Sequence, residues 1–224
     1  MNKTFSFRTI VTLLMLIAFG STVALAGASQ AGQGPMMGTP GAGPMMGGTE
    51  FDLMFIDMMI MHHQGAVAMA EVALERGEHP ELAELAQSVI DSQQAEIDQM
   101  QAWRDAWYPG APAISVQDMW GGMMGMAGMM PGIQDMMPMM GMMDPATMAE
   151  GLRAAPKPFD LAFINAMIPH HLSALMMAEM AAQQATHPEL AALAQEMITV
   201  QEAEIATMRE WRATWFGPVA TPAS

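Results

Sequence analysis

The sequence predicts an all-α protein, a four-helix bundle built from two copies of one helical hairpin. Adding 108 to any position from Phe51 to Tyr108 gives its counterpart between Phe159 and Phe216, and 31 of these 58 ungapped pairs are identical. Within each copy, apolar residues recur every three or four positions, the period of an amphipathic helix. One hairpin cannot bury both of its apolar stripes, so we expect the two copies to pack as one bundle with a long crossover. Two separate small domains are the alternative.

The N-terminal 26 residues have the pattern of a secretory signal peptide. Lys3 and Arg8 precede an apolar run at 10–19 that is too short to span a bilayer, and Ala-Leu-Ala at 24–26 supplies small residues for cleavage after Ala26. We therefore expect a periplasmic or secreted protein, with an uncleaved anchor as the alternative. Residues 27–48, rich in Gly, Pro and Met, are predicted to be a flexible leader.

Helix start and stop residues delimit the first hairpin. Thr49 and Asp52 have the spacing of a capping box at the start of the first helix. Gly77 is expected to end that helix in the C′ role. Pro80 is placed at the first position of the second helix, and Pro109-Gly110 stops it.

Residues 109–157 are predicted to be a linker of Met, Gly and Pro, in which short helical turns are possible. Pro158 is expected at the first position of a third helix that runs to about Ala185. Pro188 opens the fourth helix. The predicted domain is 49–217, with hairpins at 51–108 and 159–216 and a tail at 218–224.

Charge and composition exclude several partners. The net charge is −15, and removing Lys3 and Arg8 with the signal peptide leaves 6 basic and 23 acidic residues, a net charge of −17. Such a surface repels nucleic acid and anionic membranes, and we expect no stable membrane insertion after cleavage. No cysteine is present, which excludes a disulfide framework. The composition is anomalous in its 31 methionines.

All six histidines lie at matched positions of the two copies, and four of them form the pairs His62-His63 and His170-His171. Met59 precedes the first pair by three and four residues, and Met167 has the same relation to the second pair; such residues share one face of a helix. Met58, four residues before His62, is a further candidate ligand. Adjacent histidines point about 100° apart. We therefore expect one of each pair to face the bundle and the other a flank, or the two to serve different ions.

Thioether and imidazole without thiolate suit Cu(I) or Ag(I), and the imidazoles alone would suit Cu(II). Buried structural histidine is the alternative. Nearby carboxylates can orient ligating imidazoles, or can simply hydrogen-bond to them and fix the register of the bundle. The candidates are Glu96 and Glu204, with Gln93 and Gln201.

Two further features have a chemical and a structural interpretation. His79 and His187 precede prolines at helix starts, where a cap or turn role is favoured over a role as ligands. Pro169 should kink the third helix, release the carbonyl of Asn165 and make the two His-His sites inequivalent, or be tolerated without consequence.

The linker methionines are interpreted as a low-affinity copper-scavenging surface, an oxidant sink through sulfoxide formation, or an apolar cover over the bundle. The candidate low-affinity ligands are Met123, Met124, Met126, Met129, Met130, Met136, Met137, Met139 and Met140.

Four consecutive motifs occur in both copies: Phe-x-x-x-Phe-Ile-x-x-Met-Ile-x-His-His, Met-Ala-Glu, His-Pro-Glu-Leu and Gln-x-Ala-Glu-Ile-x-x-Met-x-x-Trp. In these motifs, over 51–108 and 159–216, the chain resembles the family catalogued as domain of unknown function 305 (DUF305). The resemblance implies a ferritin-like four-helix bundle and kinship with exported, Met/His-rich copper-binding proteins that support copper resistance. Carried over by residue, it singles out Met59, His62, His63, Met69, Met167, His170, His171 and Met177.

The favoured function is therefore an exported protein that sequesters or chaperones Cu(I), with Ag(I) or Cu(II) as other ions and a periplasmic copper exporter or oxidase as a possible partner. It is not predicted to be an enzyme. A ferritin-like metal-dependent oxidase is one alternative, although no Glu stands three residues before any histidine, as a di-iron centre requires. A Met-rich structural or oxidant-scavenging protein without a specific metal is the other.

Overall fold

The structure is a computed structural model that describes residues 48–112 and 144–217, with side chains from Phe51 onward. This part of the chain forms five helices and no strand: α1 (Gly48–Arg76), α2 (Pro80–Trp107), α3 (Pro145–Arg153), α4 (Phe159–Gln184) and α5 (Pro188–Phe216). The hairpins α1–α2 and α4–α5 meet through α1 and α4. The predicted all-α bundle is confirmed. The predictions on 1–47, 113–143 and 218–224, which include the signal peptide, nearly all of the leader, the nine low-affinity methionines and the tail, lie outside the described residues.

Three helix ends differ from their predicted form. α1 begins at Gly48, and Asp52 is no capping-box residue, because its buried carboxylate binds the turn of the other hairpin. Pro158 is the N-cap of α4 and does not occupy its first position. α1 does end before Gly77, but this glycine is not in the left-handed region. A Cβ there would lie 2.7 Å from the Ala73 carbonyl oxygen, so a close approach accounts for the glycine.

The core consists of two apolar clusters separated by a polar layer. The first cluster joins the C-terminal half of α1 to the first halves of α2 and α4, the end of α5 and the short helix α3. The second cluster joins the N-terminal half of α1 to the end of α2, the C-terminal half of α4 and the start of α5. The two His-His pairs lie between the clusters. Both clusters draw on both hairpins, so each hairpin buries its apolar stripe against the other.

Reciprocal bonds tie the two hairpins together at their turns. Asp160 accepts from the backbone N–H groups of Glu78 and His79, and Asp52 accepts from those of Thr186 and His187. Each carboxylate also bonds the Nδ1 of the histidine in that turn, at 2.5 Å and 2.7 Å respectively. The turn of each hairpin is therefore closed by a carboxylate of the other.

The described end of the linker contains a nine-residue helix, α3, where the sequence predicts no more than short turns. Asp144 caps it by accepting from the Thr147 N–H at 2.8 Å. Ala149 and Leu152 are buried in the first cluster, which anchors α3 against α1. The linker therefore contributes to the core on one side of the bundle.

One helix in the described ranges, α4, is long and apolar enough to cross a membrane by length and composition alone. A central helix of a bundle meets the same criterion. α4 buries Asp160, His170 and His171 against the other helices. These contacts are those of a core helix.

Candidate metal centre

Four imidazoles form the centre of the polar layer. His62 and His63 on α1 are 2% and 0% exposed, and His170 and His171 on α4 are 6% and 0% exposed. His62 and His170 face each other across the α1–α4 interface, with ring centroids 3.8 Å apart. The expectation that one histidine of each pair faces the bundle and the other a flank is wrong, which leaves the alternative, that the two serve different ions, as a prediction. α1 and α4 are central helices, so both directions from each of them lead into the bundle.

The outer imidazoles of the layer, His63 and His171, each bond a glutamate on the other helix of their own hairpin. His63 donates from Nε2 to Glu96 at 2.6 Å, and His171 donates from Nε2 to Glu204 at 2.7 Å. A carboxylate that accepts at Nε2 leaves the lone pair of a neutral imidazole on Nδ1. Both Nδ1 atoms are buried and have no hydrogen-bond partner in the described structure.

The inner imidazoles, His62 and His170, differ from each other. Ser173 donates its single hydroxyl proton to the His170 carbonyl at 2.7 Å. Its oxygen therefore accepts from His62 Nε2 at 2.8 Å, which leaves the His62 lone pair on a buried, unpartnered Nδ1. The position that matches Ser173 in the first copy is Gly65, which has no hydroxyl. Accordingly, both ring nitrogens of His170 are buried without a partner among the described residues.

Burial keeps the inner imidazoles neutral. Together with smaller lowering contributions from the neighbouring His63 and His171, and against a raising contribution from the backbone of His170, it lowers the pKa of His62 to about 3. Burial also lowers the pKa of His170 well below its ordinary value, with His62 as the next cause. At neutral pH these two rings therefore present lone pairs, the form in which imidazole binds a metal.

Buried methionines flank the layer on both sides. Met59 belongs to the second cluster and Met167 to the first, and neither is exposed to solvent. Met69 is 2% exposed in the first cluster, and Met177 is half-buried against the second. Met58 is half-buried. Each side of the imidazole layer thus has thioethers within the packed core.

The remaining polar groups of the layer also lack partners. Gln93 and Gln201 are 2% and 3% exposed, and the Oε1 atoms of both are buried without a hydrogen bond within the described ranges, as is Oε1 of Glu204. Burying such atoms without a partner costs about 1–3 kcal/mol each. These oxygens and the free imidazole nitrogens all offer lone pairs. Each of them could therefore bind a cation or accept a hydrogen bond.

No three His, Asp or Glu side chains within 48–112 and 144–217 are arranged to hold one ion. His79 and His187 lie at the turns, away from the layer, where their rings stack on Trp215 and Trp107 at centroid distances of 3.9 Å and 3.7 Å. They occupy N-cap positions but make no side-chain cap bond to the helix. An ion in the layer would therefore need thioether sulfur, or a small shift of the imidazoles, to complete its ligands.

The structure adds four residues that sequence reasoning did not assign to the site or its support. Ser173 and Gly65 make the two copies unequal, and Met148 of α3 packs close to His170. The fourth, Asp160, holds a turn. A comparison of the two copies position by position would have shown the Gly65/Ser173 difference, but nothing in the linker sequence distinguishes Met148 from the other methionines there.

The chain belongs to the DUF305 family, a domain of unknown function, whose family model matches residues 52–212. No protein of curated description matches the sequence. The fold and the paired motifs therefore define the class of protein as an all-α member of this family.

Solved structures similar to this chain include the protein CopM. Its Cu(I)-bound form has 35% sequence identity and a TM-score of 0.57, and covers 74% of this chain and 98% of its own. Its Cu(II)-bound form has 38% identity and the same TM-score, with coverage of 74% and 97%, and CopM has also been solved with silver. A DUF305 protein from Streptomyces coelicolor, described as a predicted secreted protein, has 27% identity, a TM-score of 0.57 and coverage of 73% and 93%.

Proposed function

We propose that this protein is an exported copper-binding protein that sequesters or chaperones Cu(I) through Met and His side chains. The proposal rests on the buried layer of four imidazoles. In each of these rings, at least one nitrogen has no hydrogen-bond partner among the described residues. Such a layer is costly to fold without a ligand, because each unsatisfied buried polar atom loses its hydration without compensation. Because the layer lies in the core, an ion bound there would be shielded from solvent, which favours sequestration or chaperoning.

The ligand chemistry favours a soft ion. The layer offers imidazoles, thioethers of Met59 and Met167 on opposite sides, and no thiolate, because the chain has no cysteine. Imidazole with thioether suits Cu(I) and Ag(I), whereas Zn(II) takes Cys, His and carboxylate. The similarity to CopM, which has been solved with Cu(I), Cu(II) and silver bound, supports the same group of ions here.

The proposed location is the periplasm or the cell exterior, with the signal peptide removed after Ala26. This rests on the sequence of the first 26 residues and on the similarity to the Streptomyces protein. A copper exporter or an oxidase of that compartment would be the exchange partner. The proposed role is binding without catalysis, with the ion as the cargo.

The test is an anaerobic Cu(I) titration of residues 27–224 against a chromogenic chelator, with Zn(II) and Fe(II) in parallel. We expect a Kd for Cu(I) in the nanomolar to picomolar range, about −12 to −16 kcal/mol, and much weaker binding of the other ions. The joint replacement Met59→Leu, His62→Gln and His63→Gln should abolish the Cu(I) site that these three residues form.

Circular dichroism of that variant must show the wild-type helical content for the comparison to hold. A matched control is Met54→Leu with Gln87→Ala, which alters a half-buried methionine and a surface pair away from the layer. Wild-type protein that fails to compete for Cu(I) would exclude the proposal. Equal affinity in the triple variant would exclude the assignment of these three ligands.

A further inference from the structure

The two inner histidines have different neighbours because the copies differ at one position. Ser173 supplies a hydroxyl that bonds His62 Nε2 at 2.8 Å. The matching position, Gly65, supplies nothing to His170 Nε2, which is buried without a partner in the described structure. The space that a side chain at Gly65 would occupy is therefore open to another group.

The group at that space is the thioether of Met148. A Cβ built on Gly65 would lie 2.8 Å from Met148 Sδ and 3.1 Å from His170 Nε2. The sulfur and the unpartnered nitrogen therefore border the same small space next to the Gly65 backbone. Met148 is half-buried and packs against the first cluster, so its sulfur lies within the protein.

The helix that carries Met148 is bonded to the first copy by Arg76, a residue that the second copy lacks. Arg76 at the end of α1 donates to the carbonyl oxygens of Leu152 and Arg153, both at 2.6 Å, and to that of Ala155 at 3.1 Å. The first two carbonyls are at the C-terminal end of α3 and the third follows it, and a cation is favourable at such an end. The position that matches Arg76 in the second copy is Gln184.

We infer that Met148 and His170 form a soft-metal site in which the linker helix α3 supplies the thioether and Gly65 supplies the space. The inference deepens the proposed function and rests on it: Cu(I) or Ag(I) would bind at the His170 side of the layer, with Met148 Sδ and His170 Nε2 as ligands. The His62 side has no equivalent, because Ser173 already bonds the corresponding nitrogen. The two copies are therefore unequal in metal binding.

The first experiment is oxidative footprinting of residues 27–224 with and without one equivalent of Ag(I), which does not change oxidation state with peroxide. Peptide mass spectrometry gives the rate of sulfoxide formation at each methionine. We expect Ag(I) to slow oxidation of Met148 at least about fivefold, because coordination to a cation makes the sulfur less nucleophilic and blocks the approach of peroxide. Met176, which is 69% exposed, should be oxidised at an unchanged rate.

The second experiment compares Cu(I) affinity in variants by competition titration. Met148→Leu keeps the volume but removes the sulfur, and we expect Cu(I) binding at the His170 side of the layer to weaken about tenfold or more. Gly65→Ser, which introduces the residue of the second copy, should weaken it similarly by displacing the sulfur and bonding His170 Nε2. Met54→Leu is the control, because Met54 is also half-buried but lies two helical turns from the histidines.

The outcomes separate this inference from the proposed function. Loss of the Met59/His62/His63 site in the triple variant, together with wild-type Cu(I) binding in Met148→Leu, would overturn the inference and leave the proposed function standing. Unprotected Met148 in the presence of bound Ag(I) would also overturn it. Wild-type protein without any Cu(I) or Ag(I) affinity would overturn both.

Discussion

At the scale of single residues, the partner of one imidazole nitrogen decides what the other nitrogen can do. Glu96 and Glu204 bond Nε2 of His63 and His171, so in the neutral imidazole the free lone pair is on Nδ1, which in both residues is buried without a partner among the described residues. A carboxylate in this position also makes the imidazole a stronger donor to a metal. The bonds are equally compatible with a purely structural role, in which the glutamates only fix the helix register.

The substitution Glu96→Gln distinguishes these two roles. The amide oxygen can still accept from His63 Nε2, so the fold should be retained while the charge is lost. If the carboxylate tunes a ligand, Cu(I) affinity should fall about tenfold, in the range typical for groups that orient metal ligands. Glu204→Gln should behave alike.

The control for this comparison is Glu84→Gln on the exposed face of α2. Competition titration measures the affinity, and circular dichroism checks the fold. If Glu96→Gln binds Cu(I) as tightly as Glu84→Gln, the glutamates have only the structural role.

At the scale of helices, each hairpin depends on a carboxylate from the other. Asp52 at the start of α1 is fully buried and binds the turn between α4 and α5, and Asp160 at the start of α4 binds the turn between α1 and α2. Both aspartates belong to the Phe-Asp pair that opens each copy, so the duplicated pair supplies the carboxylate for the turn of the other hairpin. These bonds fix the ends of α1 and α4 relative to each other, and thereby the alignment of the histidines at their centres.

Removal of either carboxylate should destabilise the whole bundle. For Asp52→Ala we expect the free energy of unfolding of the apoprotein to fall by about 2–4 kcal/mol, because the N–H groups of Thr186 and His187 lose a charged acceptor. Asp160→Ala should have a similar effect. Asp91→Ala, which removes only an exposed bond to Gln87, should change it by no more than about 0.5 kcal/mol.

Urea denaturation monitored by circular dichroism measures these differences. A value for Asp52→Ala within error of that for Asp91→Ala would show that the turns are stable without the carboxylate of the other hairpin.

At the scale of the whole molecule, the buried imidazoles make stability depend on pH. The folded protein keeps His62 neutral with a pKa of about 3, whereas the same group in the unfolded chain has a value of 6.5. Between these values the unfolded state binds more protons, so acid favours unfolding. The contribution of neutral His62 to the free energy of unfolding is complete above pH 6.5 and is lost as the pH falls towards 3. His170, whose pKa is lowered as well, adds to the effect.

We therefore expect the free energy of unfolding of the metal-free protein to fall by about 1.4 kcal/mol per pH unit for His62 below pH 6.5. The measurement is a set of urea titrations between pH 7.5 and 5.0, a range above the titration of most carboxylates. His62→Gln should have a shallower slope than the wild-type protein, since Gln does not titrate. Equal slopes in the two proteins would contradict the neutral, buried state of His62.

Much of the fold and of the site can be predicted from the sequence, because the sequence of the hairpin and its His-His pair occurs twice. The helical period, the prolines in the first turns of α2 and α5, and the duplicated motifs predict the bundle. The Met59/His62/His63 and Met167/His170/His171 spacings predict the composition of the layer, since residues three and four apart share a helix face. Assignment of these residues as metal ligands remains a prediction.

Only the tertiary structure decides which of these groups meet. Sequence spacing describes one helix at a time, so it cannot show that both histidines of each pair are buried, that His62 faces His170, or that Asp52 binds the opposite turn. Nor does it distinguish Met148 from the other linker methionines. Its place beside His170 depends on the docking of α3 by Arg76 and on the absence of a side chain at Gly65. Local periodicity thus determines the helices and their ligand types, whereas contacts between distant segments determine the site.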